Sequence, residues 1–105
     1  MPLRLVFAGS PDAAVPSLRA LAESAHDVVT VITREDSPQG RRAVLTPTPV
    51  AVEADRLGVP VIRANRLAGK ATETVQALAP DLGVIVAYGG LVREPLLSTP
   101  RLGWI

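Results

Sequence analysis

Val28-Val29-Thr30-Val31-Ile32-Thr33 is an unbroken run of β-branched residues. Such side chains lose rotamer freedom in a helix but pack well on a pleated surface, so the run reads as a buried strand. Upstream, Leu3-Arg4-Leu5-Val6-Phe7-Ala8 reads as another strand, broken by Gly9-Ser10-Pro11-Asp12. Val15, Leu18, Leu21 and Ala22 then recur at helical spacing, with Asp12 a candidate cap and Pro16 near the first turn. Downstream, Thr48 is expected to cap a helix that starts at Pro49 and stops at Gly58, with Val50, Ala51, Ala54 and Leu57 as its apolar stripe. Val59-Pro60-Val61-Ile62 is a short strand, residues 64–70 a connector, and Ala71 to Ala79 a helix packed through Val75 and Leu78 and stopped by Pro80. Leu82 to Tyr88 is the next strand, a short helix is expected around Glu94 to Ser98, and Trp104-Ile105 opens one more strand. This alternation predicts an α/β fold: a parallel sheet joined by right-handed crossovers.

The totals bound the chemistry. The chain has 105 residues, of which 48% are hydrophobic and only 3% aromatic, so a single domain with an aliphatic core is expected. There is no cysteine and one histidine, which argues against thiolate zinc sites, cysteine nucleophiles and a His-ligated metal. Leu3 to Ala8 is too short for a signal peptide and Leu82 to Val92 too short for a membrane span, so a soluble, cytoplasmic protein with no membrane partner is expected. A formal net charge of +1 argues against a generally basic nucleic-acid wrapper. Any phosphate contact must come from local clustering.

One cluster stands out. Residues 34–49 carry Arg34, Arg41 and Arg42 together with Pro38, Gly40, Pro47 and Pro49. Strand-to-helix loops in α/β units run to about 2–6 residues, so a connection this long asks for a function. Guanidinium groups favour a phosphate-bearing partner, and a solvated charged loop is the alternative.

In open α/β sheets, ligands sit beyond the carboxyl ends of the strands, which directs attention to Gly9–Asp12, the long loop, and Tyr88 to Val92. The first turn lacks the glycines of a dinucleotide fingerprint, and Pro11 removes a backbone donor, so it reads either as a plain connector or as a ligand-bordering turn. Gly89-Gly90 either admits a flat ligand or simply permits a turn. His26 reads as a surface or turn residue, and Glu23, Asp27, Glu53, Asp55 and Glu94 as solvated charge. No acid–base pair is visible.

Taken in order, Leu5-Val6-Phe7-Ala8-Gly9-Ser10-Pro11-Asp12, then Asp36 through Gly40-Arg41 to Thr46-Pro47-Thr48-Pro49-Val50, then Val86-Ala87-Tyr88-Gly89, then Pro100-Arg101-Leu102-Gly103, resemble the methionyl-tRNA formyltransferases. The resemblance runs end to end. Its first and third segments are similar to the wider folate-dependent formyltransferase family, and the Gly-Arg loop closing in Pro-x-Pro-Val points to the tRNA-modifying branch.

The resemblance implies a Rossmann-like sheet with helices on both faces, and transfer of a formyl group from 10-formyltetrahydrofolate to the amino group of initiator methionyl-tRNA in translation initiation, without a metal. It implies that the backbone of Ala87, Tyr88, Gly89, Gly90 and Leu91 walls the folate, that Gly9, Ser10, Pro11 and Asp12 border the aminoacyl end, and that Arg41 enters the acceptor stem with Arg42 and Arg34 against phosphates. Where the family often has lysines after that arginine, this chain has Ala43 and Val44, so its loop is less basic. The family's Asn-x-His-x-Ser-Leu-Leu-Pro motif and its aspartate would follow Ile105. Residues 1–105 are thus expected to be the N-terminal portion of the catalytic domain, cut before its C-terminal strands, without the C-terminal tRNA-binding domain, and inactive alone. An unpaired outer edge of Leu82–Tyr88 is expected to promote self-association. A formyltransferase acting on an amino-sugar nucleotide and a non-catalytic α/β binding module are the alternative readings.

Overall fold

The structure is a computed structural model and describes residues 2–105. Its centre is a four-stranded parallel sheet of β1 (Arg4–Gly9), β2 (Asp27–Thr33), β5 (Val61–Arg63) and β6 (Leu82–Val86), in the order β5-β2-β1-β6. Helices α1 (Val15–Ala22), α2 (Pro49–Leu57) and α3 (Lys70–Leu78) link the strands. A separate antiparallel ribbon, β3 (Ser37–Gln39) with β4 (Val44–Thr46), interrupts the β2–α2 connection.

Strand alternation sends side chains to both faces of the sheet. Phe7 and Val31 point to one side, where Ala14, Leu18, Val50 and Ala54 cover them. Val6, Ala8 and Ile32 point to the other and meet Val75, Tyr88, Leu96 and Leu67. The expected arrangement, a parallel sheet with helices on both faces, is therefore the observed one. Helix α2 begins and ends where its signals lie: the Thr48 hydroxyl accepts from the Ala51 N–H at 3.1 Å, and Gly58 closes the helix with φ 73°.

Several expectations need correction. Asp12 caps nothing; a short 3₁₀ turn, Asp12–Ala14, precedes α1, whose N-terminal boundary residue is Ala14. The short helix expected around Glu94 to Ser98 reduces to a 3₁₀ turn over Leu96–Ser98. Strand β6 stops at Val86, because Ala87 takes a left-handed conformation with φ 50°. The outer edge of β6 is covered rather than unpaired. Gly83 N–H donates to Gly103 O, Ile105 N–H to Gly83 O, and Ile85 N–H to Ile105 O, each at 2.9 Å. Self-association through that edge loses its structural ground.

Glu53 was expected to be solvated but is buried, with its carboxylate clamped between two helices. Arg19 of α1 donates through Nε at 3.0 Å and Nη2 at 3.1 Å, and Arg56 donates through Nε at 3.1 Å and through Nη2. These bonds, Arg56 first and Arg19 second, hold the carboxyl at about 2, below its usual 4.5. A depressed folded-state value stabilises the fold above pH 4.5, and that contribution disappears as pH falls from 4.5 toward 2. Glu53→Gln is expected to lower the melting temperature at neutral pH and to flatten the acid limb between those values. Thermal melts from pH 7 to 2 check it; parallel wild-type and variant curves would contradict it.

Candidate functional site

The strand order reverses around β1, since the crossover from β1 leads to β2 on one side and the chain later returns to β6 on the other. This switch point opens a crevice at the carboxyl ends of β1 and β6, the usual place for a ligand in an open α/β sheet. The two strands approach so closely there that only glycine fits at the end of β1. A Cβ on Gly9 would sit 2.8 Å from Val86 O and 2.9 Å from the Phe7 ring.

A cleft of about 450 Å³ lies over this point. Ser10 and Pro11 line it from the β1 end, Ala87, Tyr88 and Gly89 from the β6 end, and Arg34 from the end of β2. The β3–β4 ribbon and the start of α2 complete it with Ser37, Gln39, Thr46, Pro47, Thr48 and Pro49. The topology thus joins all three turns singled out in the sequence.

A hydroxyl chain fixes the floor. Thr48 Oγ1 lies 2.5 Å from Thr33 Oγ1, Thr33 Oγ1 lies 3.5 Å from Ser10 Oγ, and Ser10 Oγ donates to Tyr88 O at 2.8 Å. Because Thr48 already accepts from Ala51 N–H, one orientation of the protons satisfies the series: Ala51 to Thr48, Thr48 to Thr33, Thr33 to Ser10, Ser10 to Tyr88. Ser10 Oγ also accepts from Arg34 N–H at 3.3 Å, which ties the end of β2 to the same atom.

Tyr88 presents only backbone to the cleft. Its ring is buried, its hydroxyl donates to Ala64 O, and burial pushes the phenol above its usual value. Ala87 makes this possible by reversing the chain direction in the left-handed region, a strain of about 1–2 kcal/mol. Burying a large apolar side chain contributes about 1.5–3 kcal/mol, which offsets it. Gly89, at φ 91°, turns the chain back along the rim.

The remaining candidates separate. Gly9 backs the cleft without lining it, and Asp12 sits in the exposed 3₁₀ turn outside the lining. Gly90 packs over the Tyr88 ring, where a Cβ would lie 2.7 Å from Cε2. Leu91, 70% exposed, lines a second cleft of about 410 Å³ with Asn65, Arg66, Leu67, Ala68, Arg93 and Glu94. The arginine cluster splits as well. Arg34 folds onto the rim, its Nη1 donating to Gly89 O at 2.7 Å, whereas Arg41 and Arg42 occupy the exposed turn between β3 and β4. Neither has an ion-pair or hydrogen-bond partner among the described residues.

The ribbon is anchored only at its base. Glu35 N–H donates to Asn65 Oδ1 at 2.9 Å, and Asp36 pairs with Arg63 at 3.2 Å, while residues 35–46 are all exposed. Among the described residues, no group of His, Cys, Asp or Glu side chains is arranged to hold a metal ion, and Arg34 is the only charged residue lining the main cleft. Hydroxyls, backbone and one guanidinium make up the polar part of its lining.

A family model described as formyl transferase matches residues 3–105. The chain belongs to the formyl transferase family. Proteins named methionyl-tRNA formyltransferase are similar along it: that of Clavibacter sepedonicus is 65% identical over 103 residues, that of Leifsonia xyli subsp. xyli 63% and that of Clavibacter michiganensis subsp. michiganensis 62%. Each alignment covers 98% of this chain and 34% of the relative, so the chain spans about a third of the length of the curated relatives it matches. The crystal structure of glycinamide ribonucleotide transformylase 1 from Symbiobacterium toebii superimposes with a TM-score of 0.68 at 20% identity, over 98% of this chain and 50% of that one. This likeness shows the fold, the formyl transferase sheet with its helices. Among the described residues no helix is long and apolar enough to cross a membrane.

Sequence reasoning read Thr48 only as a helix cap and missed Thr33, Ser37, Gln39 and Thr46. Thr33 ends β2 within a run of β-branched residues and so read as strand packing, and the ribbon residues sat in what looked like coil. Ser10→Ala leaves the buried Tyr88 carbonyl without its donor and is expected to cost about 1–3 kcal/mol. Urea denaturation checks this, and a shift below about 0.5 kcal/mol would mean that the hydroxyl chain does not hold the floor.

Proposed function

We propose that this chain forms the substrate-recognition wall of a methionyl-tRNA formyltransferase and the N-terminal part of its catalytic domain. The reaction is formyl transfer from 10-formyltetrahydrofolate to the amino group of methionine on initiator tRNA, in the cytoplasm. The observation that carries the reading is 65% identity to a protein of that name over 98% of the chain.

The geometry supports a division of labour. The Ala87–Gly89 backbone, fixed from behind by Ser10 and the Tyr88 ring, offers a flat wall against which a folate ring can lie. The Ser10–Pro11 turn borders the reacting end. The exposed β3–β4 turn carries two unpaired guanidinium groups outward on a narrow ribbon, the form suited to phosphate contacts on RNA. Residues 35–46 are poised to reorient on a base held by Asn65 and Arg63.

Attack of the amine on the formyl carbon builds a tetrahedral oxyanion and requires proton movement from the amine to the departing folate nitrogen. The cleft has the hydroxyls of Ser10 and Thr48 committed to the floor and no carboxylate or imidazole in its lining. Acid–base chemistry therefore falls to residues outside this lining, and the 105-residue chain by itself is expected to produce no formyl-methionyl-tRNA above background. Formation of product by the isolated chain would overturn this assignment of roles.

The substrate assignment is tested in a chimera in which these residues replace their counterpart in the Clavibacter sepedonicus relative. Arg41→Ala with Arg42→Ala is expected to raise KM for charged initiator tRNA at least about tenfold, the loss of charge-assisted contacts of about 1.5–3 kcal/mol. KM for the folate donor should stay within about twofold. An unchanged KM for tRNA would remove the ribbon from RNA recognition.

A further inference from the structure

Arg34 stands where two binding surfaces meet. Arg34 lines the main cleft and is the only charged residue there among the described residues. Of the five N–H donors that a guanidinium carries, one is used, Nη1 to Gly89 O at 2.7 Å, and no carboxylate pairs with it among the described residues. The Arg34 backbone is pinned by its N–H to Ser10 Oγ, and the next residue by Asn65, so the main chain is held twice while the guanidinium is held by the one bond to Gly89. Gly89 gives the arm room: a Cβ there would meet Arg34 Cδ at 3.1 Å.

The bond to Gly89 is the weaker kind. A guanidinium on a neutral, exposed carbonyl makes one hydrogen bond in which only the donor is charged, whereas a phosphate accepts two parallel bonds in which both partners are charged. A phosphate entering between the ribbon and the rim thus draws Arg34 off Gly89. The Gly89 carbonyl is then left on the wall with an open acceptor.

Resting on the reading that Ala87–Gly89 faces the folate donor and the β3–β4 ribbon faces RNA, we infer that Arg34 couples the two substrates. With no RNA present it caps the Gly89 carbonyl. With a phosphate of the acceptor strand in the cleft it moves to that phosphate, and the carbonyl becomes available to an N–H of the donor's heterocycle. Linkage makes the effect mutual, so the donor strengthens RNA binding by the same factor. Arg34 is a positioning residue in this scheme, with no part in bond making.

The test uses the chimera and a non-reactive folate analogue, whose Kd is measured by calorimetry with and without saturating deacylated initiator tRNA. In the unmodified chimera tRNA is expected to tighten the analogue roughly fivefold or more. In Arg34→Ala the analogue should bind without tRNA about as tightly as the unmodified chimera does with it, and tRNA should change its Kd less than about twofold. Arg34→Lys keeps a charge without the fork and should leave a smaller but measurable coupling, which guards against a folding defect in the alanine variant. Coupling that survives intact in Arg34→Ala overturns the inference. An equal weakening with and without tRNA also overturns it, because Arg34 would then contact the donor directly. If the unmodified chimera binds the analogue and tRNA but shows no coupling, the inference alone fails; if it binds neither, the substrate reading fails with it.

Discussion

The approach of β1 to β6 at Gly9 is the constraint on which the rest of the rim depends. With the Gly9 position 2.8 Å from Val86 O for any added Cβ, a larger residue would push the strand ends apart and separate the Ser10 turn from the Ala87–Gly89 turn. Their proximity lets a single serine hydroxyl reach the Tyr88 carbonyl, and lets the backbone of Arg34 reach that same serine. Three chain segments remote in sequence share one oxygen atom. The cleft has a rigid floor for that reason, although most of its lining comes from turns.

Rigidity and mobility are distributed unevenly around this point. The Tyr88 ring, closed into the core beneath Gly90 and hydrogen-bonded to Ala64, makes the β6 side of the cleft part of the hydrophobic interior. The β3–β4 ribbon has no such support, since its residues are exposed and its base alone is tied down. Backbone on one side and a cationic arm on the other suit a pair of ligands that differ greatly in size. On the proposed reading, a small flat donor would meet fixed backbone and an RNA would meet the exposed cationic ribbon. Arg34 lies between the two regimes, with its main chain on the rigid side and its side chain unpaired except at Gly89.

Much of the fold was legible because burial writes a period into the sequence. The β-branched run of β2, the apolar residues of β1 and the Thr48, Pro49 and Gly58 signals of α2 all fell where the structure has them. The errors came where that period is absent or local chemistry is ambiguous. The ribbon is exposed on both faces, so no alternation marks its strands, and it read as coil. Glu53 looked solvated because a carboxylate on a helix usually is; it is buried only because Arg19 arrives from α1 to meet it. Asp12 looked like a cap, yet the chain makes a 3₁₀ turn first.

The sequence alone determined the class of sheet, the location of its turns and the segments shared with formyl transferases, because these depend on residue type and spacing along the chain. Tertiary structure decided which of those residues share a site. It brought Ser10, Arg34, Thr48 and Ala87–Gly89 to one cleft with Thr33 buried behind them, sent Leu91 to another and separated Arg34 from Arg41 and Arg42. The physical reason is that a hydrogen bond acts over about 3 Å between atoms placed by strand order, a relation that no local pattern encodes.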